Sequence, residues 1–275
     1  MTNAFLLFYP TSLLKRIAAA GAILCWALPA SAHELWLETS DYYSPVTAAV
    51  PVSVHVGEYF KGNSFPYLGD EIVRFAVHAG GTSADITGLN GDLPAATVTL
   101  PAPGLAAVTY HSHPFDLVFK EWEKFDAYIK QQGIRGVLSR HTNGNKPRNG
   151  IKELYERDAK LLINVGGGGE GQDRLTGLPL ELVAERNPYQ LKTGDPLPVR
   201  LYFQGTPLAN IQITALTKAD PKRPQKIRTD SSGRASIPLP HTGPWLLSAV
   251  HMVEPQKDQN AHWYSYWASL VFSRP

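Results

Sequence analysis

Between Leu35 and Tyr110, apolar and polar residues alternate in short runs broken by Gly, Pro, Asn and Asp. "VPVSVHVG", "EIVRFAVHAG", "ATVTLPAPG" and "LAAVTYHSH" all show period two, which predicts half-buried strands. From Phe115 the period changes. Phe119, Trp122, Phe125, Tyr128 and Ile129 recur at steps of three and four, and Gly133 follows where a helix C-cap belongs, which predicts one amphipathic helix.

"SRHTNGNKPRNG" reads as a polar loop, and "IKELYERDAKLLINVG" as a helix or a helix running into a strand. "GGGGEGQDRLTGLP" has the composition of a flexible linker or long surface loop. After it, "LPLELVAERNPY", "LPVRLYFQG", "ANIQITALTK", "PWLLSAVHMV" and "YWASLVFS" are strands at sandwich-like spacing. "TDSSGRASI" looks like a hairpin connection, with Gly233 free to take a positive φ. The expectation is a mainly β protein: an N-terminal sandwich over 33–170 with a helical insertion over about 115–165, and a second sandwich over 171–275.

The first 32 residues have a different character. Lys15 and Arg16 precede an apolar run from Ile17 to Leu28, then Pro29, Ala30, Ser31 and Ala32, which is the pattern of a secretory signal cleaved after Ala32. The run falls short of the roughly 20 residues that a permanent anchor needs. The expected mature protein is therefore periplasmic and not membrane-embedded. Cys25, the single cysteine, leaves with the signal, so no disulfide is available to the folded chain. Lys15 and Arg16 also account for the formal excess of +2. A balanced chain with no basic block argues against nucleic acid and anionic membranes as partners.

Cleavage would leave His33 first, with a free α-amine beside its own imidazole, and that pair can close a chelate ring on one ion. The amine titrates near about 7.7 to 8.0, low enough for a transition metal to displace its proton. Nitrogen ligands suit copper, nickel, cobalt and zinc. In "TYHSHP", His111 and His113 stand two apart, a spacing that puts both on one face of a strand. His251 lies in the apolar run "LLSAVHMVE". His55 and His78 have structural roles, His141 and His241 lie in loops, and His262 belongs to an aromatic cluster. Other signatures fail. "GGGGEGQ" lacks the Gly-Lys-Ser/Thr ending of a phosphate loop, and there is no Gly-x-Ser-x-Gly elbow, no His-Glu-x-x-His helix and no cysteine nucleophile.

"SAHELWLE", "KFDAYIKQQG", "ELYERDAK", "LELVAERNPYQLKTGDPLPVRLYFQGTPLANIQITA" and "GPWLLSAVHMV", in this order, resemble a bacterial family of exported proteins described as periplasmic components of cobalt and nickel uptake systems. Leu197 to Val250 is similar to the prealbumin-like sandwich of the carboxypeptidase regulatory module. The resemblance implies a histidine at the mature terminus and another in the "AVHM" strand, here His33 and His251. The expectation is then a protein that is not an enzyme. It would bind Ni(II) or Co(II), with Cu(II) as the alternative, through His33, His251, His111 and His113, and would pass the ion to a membrane metal transporter. Two other readings stand beside it: a copper histidine-brace oxidase of the polysaccharide monooxygenase type, and a metal-free structural or interaction sandwich.

Overall fold

The computed structural model describes residues 33–256 and 260–275, so the expected signal segment and its expected cleavage point lie outside the described residues. The N-terminal half contributes β1 (Glu34–Glu38), β2 (Tyr43–Ser44), β3 (Ala49–Glu58), β4 (Lys61–Phe65), β5 (Ile72–Ala79), β6 (Thr82–Asp85), β7 (Ala96–Thr99), β8 (Gly104–Ser112) and β9 (Phe115–Phe119). Two helices, α1 (Trp122–Gln131) and α2 (Val137–Asn143), lead into the long strand β10 (Ile151–Val165). The C-terminal half adds β11 (Leu180–Ala184), β12 (Leu197–Phe203), β13 (Thr206–Pro207), β14 (Gln212–Thr217), β15 (Gln225–Arg228), β16 (Arg234–Ile237), β17 (Gly243–Val253) and β18 (Trp263–Arg274).

The fold is mainly β, with two sandwiches and helices between them, and the two sandwiches share one sheet. Ten strands form that sheet, running β15-β14-β17-β18-β10-β8-β5-β6 with β2 and β9 also on β10. β10 and β18 pair in parallel from Glu153↔Trp263 to Leu161↔Val271, and this seam joins the halves. Side chains on adjacent strand positions point to opposite faces, so each small sheet can be assigned to one side. The β1-β3-β4 sheet lies on the side of Arg157 and Ser248: Ser248 donates to Glu34 Oε1 at 2.7 Å. The β11-β12-β13 sheet lies on the other side, where Leu180 N donates to Asp158 Oδ2 at 2.9 Å. One apolar cluster runs from Leu35 to Phe272 through all three sheets.

Several sequence expectations change. Ile151–Val165 is strand throughout, because Glu153, Glu156, Asp158 and Lys160 are buried against partners and do not form a solvated helical face. Ser139–Asn143, expected to be loop, belong to α2, so within the expected 115–165 insertion the helices are Trp122–Gln131 and Val137–Asn143. "TDSSGRASI" is not a hairpin: β15 pairs with β14 in the large sheet, whereas β16 pairs with β12 in a small one. Its turn carries the chain across the sandwich, held by Asp230 Oδ1, which accepts from Ser232 N and Arg234 N, with Gly233 at φ 77° as expected. The glycine-rich stretch is pinned. Glu181 accepts from the backbone N–H groups of Thr176, Gly177 and Leu178, and Asn187 Nδ2 donates to the carbonyls of Gly169 and Gly171.

α1 carries Phe125, Tyr128 and Ile129 inward, as its periodicity predicts, and Gly133 takes φ 64° after its end. These residues form a second cluster with Val250, Met252, Trp263 and Trp267 on the large sheet. Among the described residues, no helix is long and apolar enough to cross a membrane.

Candidate metal centre

The parity of β10 places Glu156, Asp158 and Lys160 on the face covered by β11 and β12. β8 ends beside it and puts His111 on the same face. His111 Nδ1 and Asp158 Oδ1 are 2.8 Å apart, and Asp158 Oδ2 accepts from Leu180 N. Glu156 Oε2 accepts a 2.6 Å hydrogen bond from the Tyr264 hydroxyl. His111, Glu156 and Asp158 each offer one ligand atom such that all three lie within 4.8 Å of one another. Among the described residues this is the one group of three or more histidine, cysteine or carboxylate side chains so placed.

The electrostatics follow from burial. The Asp158 side chain has no exposure, and burial pushes its carboxyl up to about 6, only partly opposed by the His111 hydrogen bond. Burial likewise raises Glu156, against the Tyr264 hydrogen bond. For His111, burial works against the charged ring, but the hydrogen bond and charge of Asp158, with Glu156 beyond, outweigh it and move the pKa upward. Because Nδ1 faces Asp158, Nε2 is the ring nitrogen with no hydrogen-bond partner among the described residues. A carboxylate behind an imidazole fixes its tautomer and strengthens its outer nitrogen as a ligand. Glu156 and Tyr266 border an open depression whose rim is Leu175, Gly177, Leu178 and Pro179 from the pinned loop and Gln204 and Gly205 from the β12 turn.

The histidines singled out in the sequence are dispersed. His33 precedes β1, and its carbonyl accepts from Arg157 Nη2 at 3.2 Å. Arg157 and Asp158 are consecutive on β10, so the His33 backbone lies across the large sheet from His111. His251 pairs with Tyr266, which pairs with Glu156, so His251 shares the face of the group. Three strand spacings of about 4.8 Å place it roughly 14 Å from His111. Its ring packs edge-on against Phe203, centroids 4.7 Å apart, and burial, then Arg140, lowers its pKa. His113 is exposed beyond the end of β8, and its backbone N–H donates to Glu71 O at 2.9 Å.

His55 stacks on Trp36, His78 Nε2 meets Thr109 Oγ1 at 3.0 Å, and His262 Nδ1 accepts from Lys152 N, all structural roles. His141, expected in a loop, lies on α2 and is buried, with Nδ1 accepting from Trp263 Nε1 and Nε2 donating to Pro147 O, both at 2.9 Å. Sequence reading missed Glu156 and Asp158, which look like surface charges of a helix in "ELYERDAK". The signal that finds them is period two: with Lys160 they are alternate residues of one strand.

The family described as Domain of unknown function (DUF4198) matches residues 30–253. No curated protein matches. Among solved structures, the chain is similar to the D0-D1 domain of intimin, with 15% identity, 87% of this chain and 97% of that chain covered, and a TM-score of 0.20. It is also similar to a tetra-tandem repeat in the extending region of a large adhesion protein, at 12% identity, 88% and 49% coverage and a TM-score of 0.21. A third is trypsin-activated alpha-2-macroglobulin from Escherichia coli, at 10% identity, 89% and 16% coverage and a TM-score of 0.20.

Proposed function

We propose that this chain, which belongs to the DUF4198 family, is a metal-binding protein whose ion is held by His111 and Glu156, with Asp158 holding the imidazole from behind. The observation that carries the reading is the approach of one imidazole and two carboxylates to within 4.8 Å on a buried strand face beside an open depression. The donor set fits a divalent first-row ion. An imidazole nitrogen and a carboxylate oxygen form a borderline set that nickel, cobalt and zinc accept. Lys160, two positions beyond Asp158 on that face, is spent on Asp173 and Glu181.

The finer reading is an exported, periplasmic protein that binds Ni(II) or Co(II), catalyses nothing and hands the ion to a membrane transporter. Its support is the signal-like N-terminus and the resemblance of "SAHELWLE" and "GPWLLSAVHMV" to exported uptake components. A copper brace would need His33 and a second histidine on one side of a sheet, whereas the His33 backbone and His251 lie on opposite sides. The test is titration of the mature protein with Ni(II), Co(II), Zn(II) and Cu(II), beside His111→Ala and Glu156→Gln. Binding of Ni(II) or Co(II) that both substitutions weaken supports the reading, and binding untouched by either contradicts it.

A further inference from the structure

One step further along the same face of β10, Lys160 is buried between two carboxylates: the side chains of Lys160, Asp173 and Glu181 are 1%, 1% and 0% exposed. Lys160 Nζ donates to Asp173 Oδ1 at 3.1 Å, to Glu181 Oε1 at 2.6 Å and to Arg174 O at 3.1 Å. Asp173 Oδ2 accepts from Ala184 N at 2.9 Å. An amine, a carboxyl group and a second carboxylate able to move protons are thus fixed in one buried site. Burial raises the Asp173 carboxyl, with Lys160 opposing, so the charged form of this acid is disfavoured.

We propose that Lys160 and Asp173 condense into an intramolecular amide once the chain has folded, with Glu181 relaying the protons. The Nζ–Cγ bond forms and the Cγ–Oδ1 bond breaks. Two of the three ammonium protons leave with Oδ1 as water, passing through Glu181, which ends as the carboxylate it began as; the third stays on the amide nitrogen. Nothing is oxidised or reduced, and no co-reactant is required. Oδ2 becomes the amide oxygen and keeps the Ala184 N–H bond, which also steadies the negative charge that gathers on that oxygen during attack.

In water the reverse reaction wins, but burial changes the balance. An ion pair out of solvent carries a desolvation penalty that a neutral amide does not. Holding the reactants one hydrogen bond apart replaces a bimolecular encounter with an effective molarity that can reach on the order of 10⁵–10⁸ M. The product would tie the glycine-rich loop covalently to the strand that joins the two sandwiches.

The intact mass of the mature wild-type protein under denaturing conditions tests this, together with a tryptic map. The expected mass is lower than that of the sequence by one water molecule, and trypsin leaves 158–174 as one water-depleted peptide because Lys160 is blocked. Glu181→Gln should restore the full mass and cleavage after Lys160. A wild-type protein at full mass and cut after Lys160 overturns the proposal, and so does a water loss that maps elsewhere. Because the wild-type measurement decides, variants that fail to fold do not cloud the answer.

Discussion

His111 Nδ1 lies 2.8 Å from Asp158 Oδ1, a contact between residues 47 positions apart that closes the candidate centre from behind. Removing the charge at Asp158 while keeping an acceptor for Leu180 N should weaken the metal-binding imidazole without disrupting the strand. Asp158→Asn is therefore expected to lower metal affinity by about 10- to 100-fold, the usual cost of losing a carboxylate that supports a metal-bound histidine. Calorimetric titration of the variant checks it, and unchanged affinity would remove Asp158 from the site.

Glu153 supplies a pH dependence on the opposite face of β10. It is fully buried, accepts from the Tyr128 hydroxyl and bonds Ser265, and burial pushes its carboxyl from 4.5 to about 7. The unfolded chain ionises near 4.5 and the folded chain does so only near 7. Stability from the protonated acid is thus full below the unfolded value and falls as pH rises through this window. The loss is about 3 kcal/mol at most. Glu153→Gln, which cannot ionise, should lack this component, so its stability relative to wild type should be higher at about pH 8 than at about pH 5. Urea denaturation at the two pH values measures the difference, and equal values would refute the assignment.

His141 clamps α2 onto the sheet. His141→Ala leaves the buried Trp263 Nε1–H without its acceptor and opens a gap beside Trp122 and Phe125. The expected loss is about 2–4 kcal/mol of unfolding free energy. Burial also lowers the pKa of this ring, so its contribution is present above the unfolded histidine value and is lost as pH falls through the folded one. Thermal denaturation with a loss well under about 1 kcal/mol would show that the clamp carries little.

Gly57 marks where β3 and β4 approach too closely for a side chain. A Cβ there would meet the Lys61 carbonyl oxygen and lie 2.8 Å from its carbon. Gly57→Ala must spread the two strands, at a cost of roughly 1–3 kcal/mol. A melting temperature equal to wild type would contradict this.

The alternation in "VPVSVHVG" is enough to locate β3, because one side of that strand is buried and the other partly wet. The helical steps of Phe125, Tyr128 and Ile129 locate α1 for the same reason. β10 is hidden because its inward residues are charged: Glu153, Glu156, Asp158 and Lys160 each find a partner contributed by a distant segment, and no local pattern records those partners. The shared sheet is hidden likewise, since the parallel β10–β18 pairing joins positions as far apart as Glu153 and Trp263. Of the candidate donors, histidine chemistry points to His111, but the carboxylates that complete the group become visible only when strand register sets them beside it.

Titration of the mature protein with Ni(II), read by calorimetry in wild type, His111→Ala and His33→Ala, tests the central claim most directly. A single site that disappears in His111→Ala and persists in His33→Ala is the predicted result. A site that survives in His111→Ala, or no heat of binding in the wild-type protein, would contradict it.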